Sequence, residues 1–369
     1  MKIRPFELER YFARYEFSTP WLLCSSDCES MTVGDLLAFE PGAQERLSSL
    51  WLGYTESLGH PDLRSGIASL YEHVSAGNVL VHAGAEEAIF TFMNVALEPG
   101  DHVIVHAPYY QSLGEVACSV GARLTEWPAD PARNWELDIG FLERSITDRT
   151  RVVVINAPHN PTGFVPAEEF LREVSALSER HGFIVFSDEV YRGLEHGCPT
   201  LPSFADINPR AVSLGVMSKT YGLPGLRIGW IATRNESLYR DIAAFKDYTT
   251  ICSSAPSEFL AALALRHREP IVERNLRIIR DNLDLLDAFF GEHPDLFGWR
   301  RPKAGPIAFP ALLRGSVAEF CDDLVRKAGV LLLPGSLYGP AYNSFRIGFG
   351  RKNLPEALDR LREYLARAA

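Results

Sequence analysis

Ser218-Lys219-Thr220-Tyr221-Gly222-Leu223-Pro224-Gly225-Leu226-Arg227-Ile228-Gly229 places a lysine and, eight residues on, an arginine in one short loop. Two apolar, strand-like runs flank it: Val212-Ser213-Leu214-Gly215-Val216 before and Ile228-Gly229-Trp230-Ile231-Ala232 after. The glycines let backbone or a ligand approach closely. A buried lysine amine has a lowered pKa and can attack a carbonyl to form a Schiff base. An arginine fork suits a phosphate. Lysine and phosphate anchor together point to pyridoxal 5'-phosphate (PLP), whose aldehyde needs the first and whose phosphate needs the second.

Outward from this loop, short β-type runs alternate with helical patterns. The runs are Val79-Leu80-Val81-His82, His102-Val103-Ile104-Val105-His106, Arg151-Val152-Val153-Val154-Ile155 and Phe183-Ile184-Val185-Phe186-Ser187. Glu86 to Leu97 and Ala167 to His181 read as helices between them. Near-continuous apolar strands alternating with helices predict an α/β fold with a mostly parallel central sheet covered on both faces. Ligands of such sheets sit at the carboxyl ends of the strands.

From Ser257 to Glu292 the pattern is long and helical, with Leu283, Leu286 and Phe290 as a core-facing stripe. Beyond it, a helix over Val317–Lys327, strands over Val330–Leu333 and Ser344–Phe349 and a closing helix over Pro355–Arg367 predict a smaller α+β unit. The expected division is a large domain over 41–285 and a small domain made of 1–40 and 286–369.

Composition narrows the function. The 369 residues are 46% hydrophobic and 23% charged, which suits a soluble globular chain. A net charge of -10 argues against nucleic-acid binding, which needs clustered Lys and Arg. No apolar run reaches membrane-spanning length. The N-terminal residues lack a signal-peptide core. The six cysteines are scattered, and Cys24 and Cys28 look like half a zinc site with no second half. The expectation is reduced thiols, no metal and a cytoplasmic location.

The run Ser-Lys-x-x-x-x-x-Gly-x-Arg-x-Gly at 218–229 resembles the cofactor-lysine signature of the PLP-dependent class I/II aminotransferases, the family of the aspartate-aminotransferase fold. The resemblance extends from about Trp51 to Arg346, with the motifs in family order. It implies a large PLP-binding domain, and Lys219 as the Schiff-base lysine. The turn at Gly84, Ala85 and Glu86 becomes the phosphate loop, a strand-to-helix corner whose free N–H groups suit an anion. Tyr110 is implied to stack on the cofactor ring. Asn156-Ala157-Pro158-His159-Asn160-Pro161-Thr162-Gly163 matches the family's Asn-Pro-x-Asn-Pro-Thr-Gly loop except at Ala157, with Asn160 donating to the phenolic oxygen. Asp188 matches the carboxylate that keeps the ring nitrogen protonated, and Tyr191 is placed beside Asn160.

By the same resemblance Arg227 holds the phosphate and Arg346 binds the substrate carboxylate, a bidentate pairing. Tyr54 is implied to reach the phosphate of a neighbouring subunit, so a homodimer is expected. One departure concerns the phosphate: many family members carry a hydroxyl residue three positions before the lysine, where this chain has Val216. Ser218 and Thr220 are the candidates to compensate.

The expected activity is amino-group transfer between an amino acid and a 2-oxo acid, with ping-pong kinetics. Elimination, replacement or cyclisation is the alternative, because fold and cofactor do not fix the reaction type. Tyr221 to Trp230 and Glu9-Arg10-Tyr11-Phe12 also resemble PLP-dependent cyclases of the capreomycidine-synthase type, which supports that alternative. A regulatory role would call for basic clustering before Trp51, and none is found there. For the substrate side chain, Asp27 and Glu29 are candidates to pair with a cation such as guanidinium. Lys246 to Cys252 is a candidate for the opposite wall of the pocket.

Overall fold

Valine, isoleucine and leucine fill the central strands because these strands have no solvent face. The computed structural model describes residues 2–368. Seven strands form one sheet: β1 (Val79–His82), β2 (His102–Ala107), β3 (Arg123–Pro128), β4 (Thr150–Asn156), β5 (Ile184–Asp188), β6 (Val212–Val216) and β7 (Gly229–Ala232). Their order is β1-β7-β6-β5-β4-β2-β3. Every residue of β1, β2, β6 and β7 is buried. Only β7 runs against its neighbours; the other strands point one way. It reverses because the Lys219 loop joins it to β6 without a crossover helix. The lysine loop therefore lies at the same sheet edge as the ends of β1, β4 and β5.

Sequence pattern missed one strand of this sheet. β3 is the edge strand, and Arg123, Glu126 and Pro128 give it the charged, proline-ended composition that protects edges and hides them from a hydrophobicity reading.

The helices that matter for the site are α1 (Glu7–Tyr15), α2 (Ala85–Ala96), α3 (Glu168–His181) and α4 (Arg268–Glu292). The long helical stretch expected from Ser257 to Glu292 is two helices, Ala255–Arg266 and α4, meeting at His267. Leu283, Leu286 and Phe290 of α4 are core residues, each worth roughly 1.5–3 kcal/mol on leaving water. α4 is continuous through position 285, where the sequence reading put a domain boundary.

A second group of strands follows in the chain. Phe345–Gly348 pairs antiparallel with both Ile307–Ala308 and Leu333–Pro334. Trp21–Leu22 pairs in parallel with Val330–Leu331, which ties the N-terminal segment to this C-terminal part. Leu8 of α1 is buried with Cys24, Val325, Leu331 and Leu333. That anchor sets α1 beside the sheet edge where the lysine loop lies. Among the described residues no helix is long and apolar enough to cross a membrane.

Candidate active site

A cavity of about 490 Å³ opens at the carboxyl edge of the sheet. Its floor starts with two strand ends in register, Asn156 of β4 beside Asp188 of β5. The Asn156 amide donates to the carbonyls of Pro158 (3.0 Å) and Asp188 (2.9 Å), and its Oδ1 accepts from the Asn160 N–H (2.7 Å). One buried side chain thus fixes the 156–163 loop to the end of β5 and sets Asn160 on the cavity wall.

Asp188 is buried and accepts from the Val190 N–H at 3.2 Å. Burial pushes its carboxyl up to about 7, against the Val190 hydrogen bond and the charge of Lys219. A cation placed beside it would restore the carboxylate. The hydroxyl of Tyr191, a residue only 1% exposed, has no hydrogen-bond partner. Most buried polar groups are hydrogen-bonded, so this hydroxyl on the cavity is open to a ligand's acceptor or donor.

Lys219 lines the same cavity. Its Nζ donates to Ser26 Oγ at 2.8 Å and lies 6.0 Å from the centre of the Tyr191 ring. Burial lowers its pKa, and Asp27, Asp188 and Glu9 resist that shift. Arg346 is 1% exposed. Its Nε and Nη2 donate to the Cys24 carbonyl (3.1 and 2.9 Å), and its Nη1 to Tyr338 Oη (2.9 Å) and Asn160 Oδ1 (3.3 Å). Each of these acceptors is neutral. A buried guanidinium with no carboxylate among the described residues is a costly arrangement that an anionic ligand would relieve.

The other end of the cavity is built for an anion. β1 ends at His82, and α2 begins at Ala85 with no side chain capping it, so its first N–H groups are free. Gly84 makes the corner at φ +93°, and a methyl group there would sit 2.7 Å from Arg227 Nη2. Gly229 is as tightly placed, with a methyl position 2.7 Å from the Gly84 carbonyl carbon. Ala85, Glu86, Ser218 and Arg227 all line this end. Of the two candidates to offset Val216, Thr220 is committed elsewhere, its hydroxyl donating to the carbonyls of Val190 (3.2 Å) and Arg192 (2.9 Å). Ser218 faces the cavity.

Tyr110 lines the cavity as well, its hydroxyl donating to Glu9 Oε1 at 3.2 Å. That contact reveals a wall the sequence reading missed. Glu9, Phe12 and Glu16, carried by α1 and its C-cap, face the cavity, as do Ser26 and Arg351. The signal was present in Leu8, Tyr11, Phe12 and Tyr15, which recur at helical spacing.

Three expectations stand differently, and a fourth concerns another subunit. Asp27 lines the cavity but is held by both arms of Arg351, at 3.0 and 2.9 Å. Glu29 is outside it: its backbone N–H donates to Gly350, and its side chain accepts from the Lys352 N–H at 3.0 Å. The 246–252 stretch forms no wall either, because the Lys246 ammonium turns inward to the carbonyls of Ser57 and Ile251, both at 2.8 Å. Tyr54, expected to reach a second subunit, is 86% exposed and does not line this chain's cavity; Trp51, Leu52 and Tyr248 are exposed as well.

The sequence profile of the family "Aminotransferase class I and II" matches residues 22–361. Capreomycidine synthase of Streptomyces vinaceus is 32% identical over 97% of this chain and 91% of its own length. Among solved structures, a PLP-dependent aminotransferase from Streptococcus suis superposes with a TM-score of 0.94 at 31% identity, covering 100% of this chain and 99% of the other. A PLP-dependent cyclase superposes at 0.90 and 29% identity, again covering 100% and 99%.

Proposed function

This chain belongs to the class I and II aminotransferase family and is a PLP-dependent enzyme of that class, and from that premise we propose that it moves an amino group between an amino acid and a 2-oxo acid, with Lys219 as the catalytic base. The observation that carries this reading is the pairing, in one cavity, of an amine whose pKa burial lowers and a buried guanidinium without a carboxylate.

The residues present fit the cofactor. The orphaned Tyr191 hydroxyl and Asn160 suit its phenolic oxygen, Asp188 its ring nitrogen and Tyr110 its ring face. Arg227, Ser218 and the free N–H groups of Ala85 and Glu86 suit its phosphate, with Gly84 leaving the necessary clearance. When bound, the cofactor supplies an aldehyde that takes up the amino group and a ring that accepts electrons from the substrate's α-carbon.

The rest of the work belongs to the chain. Arg346 holds the α-carboxylate, which fixes the α-carbon near Lys219. Burial lowers the pKa of Lys219 and so favours its basic form, and its Nζ takes the proton from that carbon and returns it. Asp188, charged once a cation lies beside it, keeps the ring nitrogen protonated.

We place this chemistry in a cytoplasmic homodimer. The exposed side chains of Trp51, Leu52, Tyr54 and Tyr248 support the dimer, and Tyr54 would reach the phosphate site of a second copy.

A second reading keeps the site and changes the outcome: elimination, replacement or ring closure on an amino acid. The 32% identity to capreomycidine synthase over nearly the whole chain favours considering it. Incubation of the holoenzyme with amino acids, singly and paired with 2-oxo acids, followed by mass detection of products, separates the two. A new amino acid formed only when a 2-oxo acid is present supports transfer. A product formed from one amino acid alone supports the second reading, and no reaction with any pair overturns the first.

A further inference from the structure

Two carboxylates on the cavity wall have no cation to answer them. The basic groups of the cavity are Lys219, Arg227, Arg346 and Arg351. Arg351 is already bound by Asp27 in a two-armed pair at 3.0 and 2.9 Å. Arg346 is committed to the Cys24 carbonyl, Asn160 and Tyr338. Arg227 lies against the Gly84 corner, and Lys219 donates to Ser26.

On the acidic side, Asp27 has Arg351, Glu86 accepts from Ser112 at 2.6 Å, and Asp188 sits at its strand end. Glu9 and Glu16 remain. Glu9 accepts only from the neutral phenol of Tyr110. The Glu16 carboxylate has no hydrogen bond or ion pair with any described residue, its backbone N–H alone donating to the Phe12 carbonyl. Its pKa is raised first by burial and then by Glu9 and Asp27, while Arg351 and Lys219 pull the other way. With the Asp27–Arg351 pair cancelled, these two carboxylates leave this wall negative.

The spacing joins them. Glu9, Phe12 and Glu16 recur along one helical face toward the cavity, so the phenylalanine ring lies between two acids. The Arg346 guanidinium carbon lies 5.8 Å from the centre of that ring. A carboxylate bound at Arg346 would therefore leave its own side chain next to this wall.

Building on the amino-acid reading above, we propose that Glu9 and Glu16 select an amino acid with a cationic side chain, guanidinium or ammonium, whose methylene stem lies along Phe12. Opposite charge at the exposed Glu9 and the half-buried Glu16 favours such a side chain, and a like charge is disfavoured. The assignment replaces Asp27 and Glu29 as the side-chain readers.

The test compares kcat/KM of the holoenzyme for L-arginine, L-lysine, L-norleucine and L-glutamate. The basic amino acids should exceed norleucine by ~10-fold or more, the scale of a partly desolvated charge pair. That ratio should fall toward one in the double variant Glu9→Gln/Glu16→Gln, and Glu9→Lys should move preference toward glutamate. Preference for norleucine or glutamate in the wild type overturns the inference, as does a ratio that survives in the double variant. Calorimetric titration of L-arginine against L-norleucine keeps the two readings apart. Selective arginine binding without turnover supports the acidic wall while the transfer reading fails, and turnover without selectivity does the reverse.

Discussion

The floor of the cavity and its α1 wall are built in opposite ways. On the floor, Asn156, Asn160, Asp188 and Tyr191 are buried, and Asn156 ties two strand ends and a loop into one unit. On the wall, Leu8 is the only buried residue of α1, Glu9 is exposed and Glu16 is half-buried. A desolvated floor makes each charge count heavily and allows little movement. A wetter wall tolerates change at small cost. The contrast teaches that reaction and selectivity are separable here: the sheet edge carries the chemistry, and a lightly attached helix adds the choice of side chain.

The largest break is expected at the floor. Lys219→Ala removes the only lysine among the described residues lining the cavity and should lower the rate of amino transfer by ~10³-fold or more, within the range for a base that also binds covalently. The variant should still fold, since the lysine makes one hydrogen bond, to Ser26. Steady-state assays paired with a melting curve check both halves. Retention of a tenth of the wild-type rate would return the base to some other group and erase the distinction between floor and wall.

Asp188 sharpens the comparison through pH. Burial raises its carboxyl from the ordinary 3.8 to about 7. Below pH ~4 the group is protonated folded or unfolded and makes no difference. As pH rises from there to about 7 the unfolded chain releases the proton and the folded chain keeps it, so apoenzyme stability falls by up to about 1.4 kcal/mol per pH unit. Above 7 the cost stays constant. Asp188→Asn lacks this term. Its apoenzyme should therefore gain on the wild type between pH 4 and 7 in denaturant melts, then keep that advantage unchanged above 7. The same substitution should slow the holoenzyme on the order of 10²–10³-fold, as loss of a placed electrostatic group does. A variant that gains nothing as pH rises would show that Asp188 is not held in the costly state the floor implies.

The floor was legible in the sequence because it is local. Residues 156–163, 188–191 and 218–229 each lie within one loop or strand end, and short apolar runs announced where those ends fall. The wall was not, because it depends on pairings across the chain. Asp27 looks free until Arg351, 324 residues away, is seen to hold it. Glu29 looks equivalent until the 350–352 turn takes it out of the cavity. Glu9 and Glu16 matter only once Leu8 packs on Val325, Leu331 and Leu333. The edge strand β3 escaped for a different reason, its charged and proline-ended composition. The join at His267 did leave a mark: Pro270 lies in the first turn of α4, where a helix tolerates proline, and the reading of one unbroken helix passed over it.

The smallest effect is expected where floor and wall touch. Tyr110 belongs to the floor, yet its hydroxyl reaches Glu9 of α1 at 3.2 Å. Tyr110→Phe keeps the aromatic face toward the cavity and removes only that link. A net hydrogen bond is worth roughly 0.5–1.5 kcal/mol, with a carboxylate acceptor toward the upper end when dry and less when exposed. Glu9 is exposed, so the loss should stay near the lower figure, a change of roughly threefold. It should fall on KM rather than kcat, because the link positions the wall and does not touch the transferred proton. Freed of the phenol, Glu9 should also answer more strongly to a basic side chain, and the arginine-to-norleucine ratio should rise while total activity dips. A fall in kcat instead would make Glu9 part of the floor, and helix α1 would then share in the reaction as well as in the selection of its substrate.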